Sequence, residues 1–412
     1  MQQLNAPTSA ERLAALAELA PSLTVDHESL YVNNHIHTIF SFSPYSPCMA
    51  LYKALDAGLS TAGIMDHDSV GGAREFIRAG EIANMATTVG LEMRVSLAGT
   101  PYADMRVNNP DQTGNCYVAI HGLPHQSIDQ IETFLKPRRA AREDRNRAMT
   151  DKLNEILAAA GVSLDYDSDV RPLSQAAEGG SVTERHLCYA TALKLIDRYG
   201  DALVDGLCAD LGMNLNDKQR AMLADTQNPI RAYDLLNVLK SEFVQRFYIP
   251  GTDECPLIAE YIRAAHEAGA IAAYPYLGDV GDSVTGDKKT QTFEDAFLDE
   301  LFVFLKEIGF DAITYMPTRN TKAQLDRIKT LCAQHGFFEI SGEDINSPRQ
   351  SFICPQLAEP DFAHLREATW ALIGHEKAAT ANLKDGMFTA QTIAAMPTLA
   401  ERIAHFAKIG RG

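Results

Sequence analysis

Seven short apolar segments, separated mostly by helical patterns, constrain this chain more than any other feature. They run over 30–36, 60–65, 86–95, 115–123, 270–277, 311–316 and 337–341. Apolar, β-branched runs of this length read as buried strands. Helical stretches over 49–58 and 72–82 fill the first two gaps, and 293–309 and 321–336 fill the last two. Gly58, Gly309 and Gly336 stand where helix C-terminal glycines belong. Alternating strand and helix implies a parallel sheet, and a strand spacing of about 30 residues suits successive βαβ units. The predicted class is α/β, a distorted (β/α)7 TIM-like barrel, with a doubly wound open sheet as the alternative. The barrel is favoured because polar residues stand at the C-terminal ends of nearly all the strands, the face on which such barrels build active sites.

The rhythm breaks between His121 and Tyr274, roughly 150 residues apart. An inserted helical domain over 125–255 accounts for this, leaving the barrel to 31–124 and 256–358, with a helical segment at 1–30 and a helical tail at 359–412. Thr8 and Glu11 have capping-box spacing. The amphipathic start lacks the basic and apolar blocks of a signal peptide. In the insertion, Ser127 caps a short helix that Pro137 interrupts, and a longer helix then runs to Gly161. Arg138 to Arg147 reads as a solvated face. Further helices are expected over 183–199, 216–225 and 230–247, and the tail over 361–409 is expected to pack on the barrel exterior.

Composition excludes some partners. The formal net charge is −17, a field that repels polyanions, so long nucleic acid is not an expected partner. A small anion is compatible, because local arginines and metal ions override the global field. Seven cysteines are scattered with no C-x-x-C pair, which points to reduced thiols and a cytoplasmic setting. No apolar run is long enough to span a membrane.

The residues at the strand ends share one chemistry, since imidazole and carboxylate bind divalent transition metals. His35 and His37 lie two apart, so strand alternation puts both on one face, close enough to share a metal. The bland alternative is a hydrogen-bonded core pair. Asp66-His67-Asp68 ends the second segment, and Asp66 or Asp68 also suits the N-cap of the following helix. Glu92 stands among apolar neighbours and is costly there unless paired or metal-bound; Arg94 is the simple pairing alternative. His121 ends the fourth segment, where an ordinary core histidine is the alternative. Asp344 follows the seventh. Arg319, Arg349 and Arg94 each leave a strand end and are either anion clamps or structural partners. Arg185 and His186 open a predicted helix, whose N-terminus is a natural anion site, against the alternative of an ordinary surface helix. His125 is a secondary candidate.

In this order, H-x-H-T at 35–38, D-H-D-S at 66–69, Glu92, His121 and S-G-x-D at 341–344 resemble the PHP (polymerase and histidinol phosphatase) superfamily. The resemblance covers roughly 31–124 and 256–350. It implies a distorted seven-stranded barrel with two or three divalent metals. Known members are mostly phosphoesterases, which implies a metal-activated hydroxide attacking a phosphate ester. Carried over by position, it implies His35, His37, Glu92 and Asp344 as ligands of one metal. Glu92 would bridge to a second, which His121 also binds, and His67 would belong to a third. The chain departs from the pattern at Phe42-Ser43, at Tyr274-Pro275 in place of His-Pro, and at Asp344-Ile345-Asn346 in place of Asp-x-His. Tyr274 would then ligate as a phenolate. Arg185 and His186 are similar to an R-x-H element in small-nucleotide phosphatases of the family.

The expectation is a metal-dependent phosphoesterase for a small phosphorylated metabolite or nucleotide. Glu92, His67, Arg319 and Arg349 are its expected catalytic residues. Arg94, Arg185, His186, Arg319 and Arg349 are expected on the substrate. One to three divalent ions (Mn, Zn, Fe or Mg), preferably two, are expected, and an oligomer is compatible. No Ser or Cys nucleophile with a His partner is evident, so covalent catalysis is the weaker idea. One alternative is a non-catalytic metal- or ligand-binding barrel. Another is a nucleic-acid-processing accessory domain, which the charge disfavours.

Overall fold

The computed structural model describes residues 2–280 and 291–412. Each apolar segment forms a strand: β1 (Val32–Ile36), β2 (Thr61–His67), β3 (Ala86–Ser96), β4 (Asn115–His121), β5 (Ile271–Pro275), β6 (Ala312–Tyr315) and β7 (Phe338–Ser341). They pair in sequence order. A parallel bridge from Ile36 to Ile345, just past β7, brings the two edges together. The result is a nearly closed barrel of the expected class.

One strand departs from the all-parallel expectation. β4 runs antiparallel to both β3 and β5, whereas the other neighbours pair in parallel. A parallel return needs a long crossover, usually a helix. The connection over 97–114 holds only turns and bends, punctuated by Gly99, Pro101, Pro110 and Gly114. The C-terminal end of β4 therefore lies at the opposite rim from the other six.

Helix α1 (Ser9–Leu19) carries the Thr8–Glu11 capping box. α2 (Pro47–Asp56) and α3 (Ala73–Ala83) follow β1 and β2. The insertion supplies α4 (Ile128–Leu157), α5 (Glu184–Tyr199), α6 (Leu203–Ala209), α7 (Asp217–Ala224) and α8 (Arg231–Glu242). Then come α9 (Ile258–Glu267), α10 (Leu298–Ile308), α11 (Lys322–His335), α12 (Ala363–Ala381), α13 (Ala390–Ala395) and α14 (Leu399–Arg411). Pro137 sits inside the single 30-residue helix α4 instead of dividing it, and Ser127 makes no side-chain cap. Beside the ring, Arg138 donates to the Phe134 carbonyl at 2.7 Å.

Three apolar clusters hold the molecule. Outward-facing strand residues such as Ile64, Val118, Ile120 and Ile313 pack under the surrounding helices. The insertion has its own core, with Met149, Leu153, Leu187, Leu195, Leu235 and Leu239. Phe42, from the loop after β1, is part of that core. The third cluster fills the barrel. Met65, Ala119, Ala273, Ala312, Phe338 and Ile340 meet Ala368, Ala371 and Leu372 of α12. The tail was expected on the exterior; α12 instead closes the barrel's lower end. Glu376 of α12 accepts from Thr88 Oγ1 (2.8 Å) and from the Val89 amide (2.7 Å). α14 braces α12 from outside at glycine contacts: a Cβ on Gly374 would fall 1.8 Å from the Phe406 carbonyl oxygen.

Candidate metal centre

Five side chains converge at the upper mouth of the barrel. β1 delivers His35, and His37 follows it directly; their Nε2 atoms lie 3.2 Å apart. β2 ends on His67, which pairs across the ladder with Glu92 of β3. Glu92 Oε2 lies 3.5 Å from His35 Nε2 and 3.3 Å from His67 Nδ1. Asp344, in the loop after β7, places Oδ1 3.1 Å from His37 Nε2. His35, His37 and Asp344 form one group able to hold an ion, and His37, His67 and Glu92 form another.

The donor set fits a divalent metal. Bonds of about 2.0–2.2 Å in a tetrahedral site put neighbouring ligand atoms roughly 3.3–3.6 Å apart, close to the spacings seen. Nitrogen and oxygen donors without sulfur suit Zn, Fe or Mn better than a soft ion. Both groups share His37, and His67 stacks beside it (ring centroids 4.6 Å apart).

Charge is tuned to the same end. Burial alone would raise the Glu92 carboxyl, but the His35 and His67 imidazoles hold it at about 2. Burial would also raise Asp344, yet His37, His35 and Arg185 keep it well below the usual carboxylate range. Burial pushes His67 down to about 3 against the pull of Glu92, so its ring is neutral at pH 7. His35 is opposite: burial lowers it, but Glu92 and Asp344 more than offset this and raise it. Asp344 is 39 % exposed at the side chain and His67 21 %, so the centre opens to solvent on their side.

Residues behind the ligands fix them. Asp66 accepts from the Thr38 amide and Thr38 Oγ1, and from Ser41 Oγ, each at 2.6 Å. Ser41 Oγ also lies 3.4 Å from His37 Nδ1, which leaves Nε2 facing the cluster. The expectation that Asp66 or Asp68 caps α3 is corrected: Gly72 is the N-cap, without a side-chain bond. Asp68 meets Arg142 instead.

The structure sets other expected residues apart from the centre. His121 lies two residues beyond Ala119, the partner of Glu92. Because β4 is reversed, His121 stands one layer deeper in the barrel, and its buried Nε2 has no hydrogen-bond partner. Burial and neighbouring His35 push it to about 3. Tyr274 alternates with the inward Ala273, so it faces the outer helical layer, edge-on to Phe310 (6.2 Å). Burial pushes its hydroxyl well above the usual phenol range, so the phenolate ligand is not provided. Arg94 is not the partner of Glu92. It pairs with Glu254 (2.5 Å) and Glu184 (3.2 Å). Arg349 donates to both oxygens of buried Asp234 on α8 (2.5 and 2.7 Å), which makes it a strut to the insertion rather than a free clamp. His186 Nδ1 accepts from the Thr183 amide (2.9 Å), capping its own helix. The run from Arg138 to Arg147 is not simply solvated, since Arg142 and Arg145 are buried.

Two expected cations stay available. Among the described residues Arg319 makes no ion pair; its Nε donates to the Leu277 carbonyl (3.1 Å). Burial lowers it, while Glu294 and Asp344 oppose that. Arg185 has a buried Nη1 with no hydrogen-bond partner, and its charge reaches Asp344. The sequence reading missed Lys240 of α8, whose pKa is lowered first by neighbouring Arg185. Nothing local in an exposed helix position marks a lysine as facing an arginine.

No family model matches the sequence, and no curated protein does. Solved structures share the fold. One, from Bifidobacterium adolescentis, is provisionally described as a metal-dependent phosphoesterase. It is 19% identical, with a TM-score of 0.51, over 81% of this chain and 96% of that one. Another, an amidohydrolase from Chromobacterium violaceum solved with bound sulfate and no metal, is 17% identical, with a TM-score of 0.52, over 82% of this chain and 96% of that one. The likeness covers about four fifths of this chain and shows the barrel fold, and the described residues add a cluster of possible metal ligands at its mouth.

Proposed function

We propose that the protein is a metal-dependent phosphoesterase that hydrolyses a small phosphorylated metabolite or nucleotide. The observation that carries this reading is the set of five donors converging at one rim of the barrel, with Arg185 and Arg319, which make no ion pair among the described residues, within electrostatic reach of Asp344.

His35, His37, Glu92 and Asp344 would hold the ion, with His67 at its edge. Mn, Zn, Fe or Mg bound there supplies Lewis acidity and lowers a water pKa from ~15.7 toward about 7. The chain's own residues do the rest. Glu92 and Asp344 stay ionised, and neutral His67 presents a ring nitrogen lone pair at the open side of the cluster. Arg185 and Arg319 would neutralise phosphate oxygens where charge develops. A second ion would draw on Glu92 and deeper-lying His121. In this reading the insertion borders the mouth and selects the substrate.

Purified protein should contain divalent metal and release phosphate from small phosphomonoesters or diesters, with loss on chelation. Stoichiometric metal without turnover on any such ester would sink the reading in favour of a non-catalytic metal-binding barrel.

Metal uptake should also depend on pH. The raised His35 carries a proton that an incoming ion must displace. Apparent affinity should rise about tenfold per pH unit below that raised pKa and flatten above it. Competition titrations with a chelator from about pH 6 to about pH 9 test this; a flat profile contradicts the protonated His35.

A further inference from the structure

The inserted helices do more than border the mouth. We infer that Arg142, on α4 of the insertion, is a positioning residue of the metal centre, acting through Asp68 on His67. The inference rests on the metal-centre reading above.

The backbone beside His67 is unusual. Asp68 has φ of +51°, and Asn84 is the other described non-glycine residue with positive φ. Asn84 is the C-cap of α3, where a left-handed residue is ordinary. Asp68 follows a strand, and a non-glycine residue keeps this conformation only where its surroundings over-determine it. Here they do. Its amide donates to the Glu92 carbonyl at 2.8 Å, which ties the backbones of two ligands together. Its carboxylate meets Arg142 Nη1 at 2.5 Å, with both side chains 5% exposed. Its carbonyl accepts from Arg139 Nη1 at 3.2 Å. The His67 carbonyl accepts from Ser181 Oγ at 2.6 Å. Three side chains of the insertion thus grip two consecutive residues at the end of β2.

Arg142 also belongs to a buried network. It reaches Glu254 at 3.3 Å, and Glu254 takes Arg94 and Arg145 at 2.5 and 2.6 Å. Arg94 and Arg145 reach Glu184 at 3.2 and 2.6 Å. Two members adjoin the centre in sequence: Asp68 follows His67, and Arg94 stands two residues past Glu92. A third, Glu184, precedes Arg185, whose charge reaches Asp344.

The test uses the full chain loaded with Co(II), reading affinity by chelator competition and geometry from the visible absorption bands. Arg142→Met should weaken binding by about 10–100-fold and alter the bands, as loss of outer support does at metal sites. Arg142→Lys keeps the charge but not the planar fork and should show a smaller loss. Ser181→Ala leaves all six charges in place and should also weaken binding and shift the bands. Arg147→Ala, on the same helix but in an exposed pair with Asp167, should match wild type. If Arg142→Met fails to fold, the Lys and Ser181 variants decide the matter. Wild-type affinity and bands in both of these overturn the inference. A wild-type protein that takes up no Co(II) overturns the metal centre and this inference together. Binding that is weakened as expected, in a protein that hydrolyses no phosphate ester, upholds the inference and overturns only the proposed activity.

Discussion

Replacing Glu92 with Gln is expected to weaken metal retention, and with it hydrolysis, by more than the ~10–100-fold that replacing a residue behind the ligands costs. Glu92 is the residue on which the centre turns, since its Oε2 faces both His35 and His67. Gln keeps the volume and the strand pairing but removes the charge, and its amide can present N–H to imidazole nitrogens that need to face an ion. The substitution also removes the first group that raises His35. The residual pH dependence of metal uptake should therefore move to lower pH. Metal content by elemental analysis, chelator competition and phosphate release test the expectation. A Glu92→Gln protein that holds metal as tightly as wild type would show that the centre does not use this carboxylate.

Glu92 was legible because a lone carboxylate in an apolar strand is costly, and the strand was legible from its apolar run. The same holds for His35 and His37, whose spacing of two gives a shared face whatever the surroundings. Strand positions followed from local composition, and all seven formed. Strand direction did not. The helix-free stretch over 97–114, with its Gly and Pro residues, was the available signal that β4 returns antiparallel. Missing it placed His121 level with the other candidate ligands, whereas it lies one layer deeper. Tyr274 failed for a different reason. Strands buried on both faces are apolar throughout, so their sequence does not reveal which parity points inward. The arginines failed for a third. Arg94 and Glu254 are 160 residues apart, and no local pattern pairs them. Helical periodicity likewise located α12 but not its seat across the barrel's lower end, because a helix that closes a barrel end and one that covers its side can bury the same kind of stripe.

Replacing Glu254 with Ala is expected to cost about 3–5 kcal/mol of stability, the usual penalty for stranding buried charge. That exceeds the ~0.5–1.5 kcal/mol of an ordinary hydrogen bond. Glu254 lies among Arg94, Arg142 and Arg145, its side chain 2% exposed. With Asp68 and Glu184, the three acids balance the three arginines. Burial would raise the Glu254 carboxyl, but Arg142, Arg94 and Arg145 lower it. Its stabilising contribution is therefore present above the ordinary glutamate pKa and is lost as pH falls through the depressed one. Ala removes it at every pH, leaving one guanidinium in excess. The urea midpoint should fall at neutral pH, and the gap from wild type should narrow in acid. The interface between insertion and barrel is where the excess charge sits, so protease sensitivity should rise first around α4 and α5. A Glu254→Ala protein within about 1 kcal/mol of wild type at neutral pH would mean that water or a shifted side chain already compensates these arginines. Restoring the balance separates charge from packing. Arg145→Met added to Glu254→Leu leaves Arg94 and Arg142 facing Asp68 and Glu184. It should recover much of the lost stability, because a buried ion pair exchanged whole for apolar side chains of similar volume is often neutral.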